Sequence, residues 1–167
     1  MIAIRKEIFQ RLKENIQFFH DFSDEELITF LRLMNSKTFF DGDRVFKEHD
    51  PGDTMYLLFS GKVVISKRIG KIDGQEKETI LAKLEPGECF GEIGLIDHRP
   101  RSATARAEGK SLLFSISNDQ ITKISRNPKY SNLSFKLFRN FAVVLASRLR
   151  ESNQKIVNLS SGASHGF

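Results

Sequence analysis

Phe90-Gly91-Glu92-Ile93-Gly94-Leu95, followed by Ile96-Asp97-His98-Arg99-Pro100-Arg101-Ser102-Ala103-Thr104, decides how the rest of the chain is read. Gly91 and Gly94 allow backbone to come close to something bulky. Glu92 opens a short helix-like run whose free N–H groups can hold an anion. Arg101 supplies a planar fork of donors that suits phosphate. Glu92 can accept hydrogen bonds from sugar hydroxyls, but it repels phosphate. A ligand carrying both a phosphate and a ribose fits these parts. Each part also has a plain structural reading. Gly-x-x-Gly is common in turns, Glu92 is an acid favoured by a helix dipole, and Arg101 can pair with Asp97 or Glu92 at the surface.

The context narrows the choice. The stretch follows the turn signal Leu84-Glu85-Pro86-Gly87-Glu88 and runs into the strand-like Ala103-Thr104-Ala105-Arg106-Ala107. As a whole it resembles the phosphate-binding cassette of the cyclic nucleotide-binding domain family. That pattern reads Phe-Gly-Glu-(Leu/Ile)-(Ala/Gly)-Leu, a short spacer, then Pro-Arg-(Ala/Ser/Thr)-Ala-Thr, and every position is matched without a gap. Pro51-Gly52-Asp53, Tyr56-Leu57-Leu58 and Gly61 are similar to the family's turn-strand-turn signature, and the resemblance covers residues 18–159. It implies that Arg101 holds the phosphate and Glu92 the ribose 2′-hydroxyl. Ser102 and the amides near Gly94 and Leu95 stand beside the phosphate. Gly91 and Ile93 belong to the same cassette, and Val64, Leu81 and Ala103 are further lining candidates.

Composition bounds the rest. The 167 residues are 40% apolar and 28% charged, enough for one buried core without staples. Fifteen Phe and no Trp mark Phe as the core filler. Cys89 is the only cysteine, so no internal disulfide can form, which fits a reducing cytoplasm. It reads as a small buried hydrophobe. No apolar run approaches the roughly 20 residues that span a bilayer. Met1-Ile2-Ala3-Ile4-Arg5-Lys6 lacks a signal peptide's apolar region. The net charge of +5 permits nucleic-acid binding, but acidic residues interleave with the basic ones, so a solvated basic surface is expected.

Along the chain, Ile4, Ile8, Leu12 and Ile16 recur every four residues and mark an amphipathic helix. Ser23 and Glu26 form a capping box ahead of a second helix buried through Leu27, Ile28, Phe30, Leu31 and Met34. From Ser36 to Ile116 the period is two. Strands are expected at 45–48, 55–59, 63–66, 78–84, 102–107 and 111–116, with a hairpin tip at Lys71-Ile72-Asp73-Gly74-Gln75. The fold class is α+β: an antiparallel β-roll (double-stranded β-helix or jelly roll) flanked by N-terminal helices and a long C-terminal helix. Another helix opens at Ser117 or Asn118 and stops before Asn127-Pro128. The expected divisions are a helical segment at 1–35, the roll at 36–116, hinge and dimerisation helices at 117–159, and a disordered tail at 160–167.

The helix expected at 131–159 contains neither Gly nor Pro. Phe138, Phe141, Leu145, Leu149, Ser152, Ile156 and Leu159 form a coiled-coil seam, which points to a homodimer. The run from Arg148 to Ile156 resembles the dimer helix of bacterial catabolite activator proteins. There a hydroxyl and its neighbour, one from each subunit, meet the adenine amino group, and Ser152 and Asn153 stand at those positions. Ser152 reads equally as a polar residue that sets the register of the seam. The ligand role favours cyclic AMP over cyclic GMP.

No metal spacing, Walker loop or Gly-x-Ser-x-Gly appears, and His20, His49, His98 and His165 are scattered, so no enzyme and no cofactor are expected. The favoured reading is a cytoplasmic receptor for cyclic AMP, with no membrane partner and an unknown downstream effector. Ligand pulls the cassette inward and the helices after Ile116 repack. The tail from Ser160 is too short for a helix-turn-helix, so no direct DNA binding is expected. Two alternatives stay open: the sensory part of a transcription regulator, and a module that keeps the roll without a ligand.

Overall fold

The computed structural model of the protein describes residues 6–72 and 75–162. Helix α1 (Lys6–Asn15) is followed by a 3-10 turn at Gln17–Phe19. Leu12 and Ile16 are buried, as their spacing requires, whereas Ile4 of the same stripe lies outside the described residues. Ser23 caps α2 (Asp24–Leu33) through both halves of a capping box. The Glu26 amide donates to Ser23 Oγ at 3.2 Å, and the Ser23 amide donates to Glu26 Oε2 at 2.7 Å. Leu27, Phe30 and Leu31 of this helix are buried.

Among the described residues six strands form one antiparallel sheet: β1 (Asn35–Phe39), β2 (Arg44–Phe46), β3 (Thr54–Ile72), β4 (Gln75–Leu84), β5 (Cys89–Phe90) and β6 (Thr104–Ser117). The order is β1-β6-β3-β4, with β2 added on β6 and β5 on β3. The architecture is α+β, with helices before and after an antiparallel roll. The sequence reading split β3 at Ser60-Gly61 and β6 at Glu108-Gly109-Lys110, but both strands are continuous. The β3–β6 register shifts between Leu58 and Ser60 and between Ser60 and Lys62, so the strand bends where a turn was expected. Gly61 sits there at φ 90, and a Cβ would stand 2.3 Å from Ser111 Oγ. In the β3–β4 hairpin Lys71 pairs with Glu76 and Ile72 with Gln75; residues 73–74 of the expected tip lie outside the described residues.

Two apolar cores result. Phe39, Leu58, Val63, Phe90, Ala105 and Leu113 fill the roll. The other packs the sheet against the helices, where Phe18, Phe19, Phe22, Phe30 and Phe141 have ring centroids 5.2–6.5 Å apart. Phe is the filler there, but Phe40, Phe135 and Phe138 are exposed.

Helix α3 (Glu92–Asp97) lies between β5 and β6. Helix α4 (Asn118–Ser125) is capped by Ser117, not Asn118, in a second capping box with Gln120. After a 3-10 turn at Pro128–Tyr130, α5 (Ser131–Gly162) is the last element of the described residues. It runs past the expected end, so Ser160 and Ser161 are helical and not a disordered tail. Their hydroxyls donate back to the Ile156 and Val157 carbonyls of the preceding turn. Residues 163–167, with His165, lie outside the described residues.

The first half of α5 is clasped to the N-terminal helices. Lys136 Nζ meets Glu26 Oε2 at 2.7 Å, Arg139 Nη1 meets Asp21 Oδ2 at 2.9 Å, and Asn140 Nδ2 donates to the Phe18 carbonyl at 2.8 Å. Phe141 leaves the expected seam, because Leu133, Leu137 and Phe141 share the buried face of the helix. The exposed apolar row is instead Phe135, Phe138, Leu149, Ile156 and Leu159. With Ala142, Leu145 and Ser152 between them, the steps alternate strictly by three and four. Among the described residues no helix is long and apolar enough to cross a membrane.

Candidate functional site

β5 ends at Phe90, and Gly91, at φ 77, turns the chain into α3. A Cβ at Gly91 would stand 2.7 Å from Arg101 Nη1 and 3.1 Å from the Thr54 carbonyl oxygen. Glycine is therefore required on two grounds, conformation and room. α3 also presses on the turn before β3, where a Cβ on Gly94 would meet the Gly52 oxygen at 2.7 Å. These contacts seat Glu92 and Arg101 at the wall of one cavity of about 900 Å³. Its other walls are residues 81–84 of β4 and the inner face of α5 from Asn140 to Lys155.

Arg101 is 5% exposed. Its Nη1 donates to the Gly91 carbonyl at 2.8 Å and its Nη2 to the Thr54 carbonyl at 2.6 Å. Its backbone is held as tightly: the Arg101 amide donates to the Asp50 carbonyl at 2.8 Å and the His49 amide to the Arg101 carbonyl at 2.9 Å. Burial pulls its pKa below the ordinary guanidinium value, against the opposing fields of Tyr56 and Asp53. A guanidinium stays cationic under that pull. Arg101 forms no ion pair with Asp97 or Glu92, so the surface salt-bridge reading does not hold.

Glu92 is fully buried at the first position of α3. Its Oε1 accepts from Arg148 Nη1, and Arg148 Nη2 donates to the Cys89 carbonyl. Its Oε2 has no partner, and neither does Arg101 Nε. Among the described residues these are the two buried side-chain polar atoms left unsatisfied. Leaving such a group unmade costs about 1–3 kcal/mol. One is an acceptor, the other a donor, and both belong to the residues that the cassette pattern singled out.

Other expected residues divide. Gly91, Ile93, Gly94, Ser102, Ala103, Leu81 and Ser152 line the cavity. Val64, Leu95 and Asn153 do not. Val64 points to the opposite side of β3 from Ile65, which lines the cavity in its place. The Leu95 side chain is 3% exposed and packs into the helical core. Asn153 is exposed on α5 next to Ser152. Arg148 was missed by the sequence reading, although it continues the inner-face spacing of Leu133, Leu137 and Phe141. Phe46, at the end of β2, also lines the cavity, and no motif in the sequence marks it. Cys89 is buried, which pushes its thiol up to about 12. His98 is an exposed residue at the C-terminal end of α3, and no group of His, Cys, Asp and Glu among the described residues could hold a metal ion.

Comparison with known proteins gives the family. The model of the cyclic nucleotide-binding domain matches residues 36–127. The chain is 36% identical over 143 residues to the cyclic AMP receptor protein of Thermus thermophilus, across 85% of this chain and 61% of that protein. It is 34% identical over 119 residues to the CRP-like cAMP-activated global transcriptional regulator of Mycobacterium tuberculosis, across 71% of this chain and 48% of that one. It thus spans about half to three-fifths of the length of these relatives. Among solved structures, a cyclic nucleotide-binding domain from Methylobacillus flagellatus superposes with a TM-score of 0.77 at 28% identity, covering 91% of this chain and 82% of the other. The chain belongs to the cyclic nucleotide-binding domain family.

Proposed function

We propose that this chain is a receptor for a cyclic mononucleotide, with cyclic AMP the preferred ligand over cyclic GMP, and that it acts by binding and not by catalysis. Within its family, one observation carries the reading to these residues: the orphaned Glu92 Oε2 and the orphaned Arg101 Nε at the wall of one cavity. A ribose hydroxyl donates to the first, and a phosphodiester oxygen accepts from the second. Arg101 is the phosphate anchor, Glu92 the sugar anchor, and Ser102 stands beside the phosphate. Ser152 on the α5 wall supports the preference for adenine. The chain carries its signal through α5, whose far half meets the site through Arg148. It acts in the cytoplasm on an effector of its own.

The exposed row from Phe135 to Leu159 supports a homodimer through α5, residues 131–159. Asn153 then faces the partner's site. Calorimetric titration with cyclic AMP, cyclic GMP and 5′-AMP tests the ligand, and a protein that takes up none of them ends the reading. Sedimentation of the wild type against Leu149→Glu tests the dimer, which the charged variant is expected to dissociate.

A second reading has support in the relatives, which are longer than this chain: the sensory part of a transcription regulator. Gel-shift of this chain with random DNA at low salt is expected to show only weak electrostatic association.

A further inference from the structure

We infer that Phe46 is the positioning residue for Arg101, holding the guanidinium in place through the face of its ring. The inference rests on Arg101 being the phosphate anchor proposed above. Phe46 ends β2, opposite Ala105, directly after an irregularity in the β2–β6 register that begins at Arg44. Irregular pairing of this kind re-aims a side chain. Here it brings the ring centroid within 4.2 Å of Arg101 Cζ. Tyr56 adds a second ring at 5.9 Å from the same carbon.

The floor is rigid. The Phe46 centroid is 5.8 Å from that of Tyr56 and 5.9 Å from that of Phe90. Tyr56 and Phe90 are themselves stacked at 5.4 Å with their planes 20° apart, across the β3–β5 pair. Arg101 forms no ion pair with a carboxylate among the described residues. Its buried charge is met by two carbonyl oxygens and by the electron-rich face of Phe46. Guanidinium groups are weakly hydrated and stack well, so the ring fixes the tilt of the plane while the carbonyls fix its rotation. The Nε edge is what remains for an anion. An aliphatic residue would fill the same space with no negative face. Arg101 would then be free to turn toward Asp53 or Asp50, whose fields already act on it.

The test replaces Phe46 in the full chain by phenylalanines carrying one, two and three ring fluorines. Fluorine drains the negative face while nearly keeping shape and apolarity. Cyclic AMP is titrated into each protein by calorimetry. Kd is expected to rise at every step, by about tenfold at three fluorines. Melting temperatures of the ligand-free proteins are followed in parallel, with Arg101 present and as Arg101→Gln. Fluorination is expected to lower the melting temperature only where Arg101 is present, which a packing role does not produce. A Kd that stays flat or falls along the series overturns the inference, as does an equal loss of melting temperature in the Arg101→Gln background. A wild-type protein that binds no cyclic nucleotide is a different outcome: there the functional reading itself fails, and the inference with it.

Discussion

Arg148 of α5 is ion-paired to Glu92 at the head of α3, joining two residues 56 positions apart in the sequence. The Glu92 side chain is 1% exposed and that of Arg148 33%. The same guanidinium reaches the Cys89 carbonyl at the end of β5. A single side chain therefore ties the far half of the last helix to the carboxylate assigned to the sugar.

Arg148→Met leaves that buried carboxylate without its cation. The expected loss of stability is about 3 kcal/mol, because an uncompensated buried charge costs more than the pair contributes. Glu92→Gln combined with Arg148→Met should recover part of the loss. Urea unfolding of both single variants and the double gives the coupling directly, and purely additive losses would count against the pairing.

Arg101→Ala removes a charge-assisted contact worth about 1.5–3 kcal/mol, or about ten- to hundredfold in Kd for cyclic AMP. It also strips the Gly91 and Thr54 carbonyls of their donor. A melting temperature well below that of the wild type is therefore expected as well. Calorimetry and a thermal melt on the same sample separate the two effects.

His49 adopts φ 73, a left-handed conformation that suits glycine better, and its side chain is 72% exposed. Its amide already holds the Arg101 carbonyl, and a glycine keeps that bond. Relief of strain worth about 1–2 kcal/mol, less the extra freedom of glycine in the unfolded chain, leaves a gain of up to about 1 kcal/mol for His49→Gly. Gly91→Ala goes the other way, since a Cβ there meets Arg101 Nη1. Denaturant midpoints of both variants check the opposite signs.

Glu26 fastens α2 to α5. Burial raises its pKa, but the bonds from Lys136, the Ser23 amide and Asn132 outweigh that and hold it below the ordinary value of 4.5. A lowered carboxyl stabilises the fold above its unfolded pKa and loses that effect as pH falls through the folded one. Melting temperature should therefore decline from pH 4.5 downward, and Glu26→Gln should flatten the decline. An unchanged acid profile in that variant would remove Glu26 as a source of the dependence.

The candidate site was legible in the sequence where it is local. Glu92 and Arg101 lie in one cassette, and its spacing alone brings guanidinium and carboxylate to one wall. Arg148 was not legible, because its role exists only once α5 folds back over the roll. Val64 does not line the cavity while its neighbour Ile65 does, because successive residues of a strand face opposite ways and the local pattern does not say which face turns inward. Phe141 was read into the seam because a core face and a contact seam share nearly the same helical period. Phe46 carries no motif at all. Its place under Arg101 follows from an irregularity in β2 that only the paired strands reveal.

Cys89 is the sole sulfhydryl of the chain, sealed at 4% exposure with its carbonyl under the Arg148 fork. Burial pushes its thiol up to about 12, so little of it is thiolate at neutral pH. Cys89 also lines the cavity that α5 borders. The rate at which a maleimide consumes it, with and without added cyclic nucleotide, reports whether ligand alters access to this wall, without any engineered label.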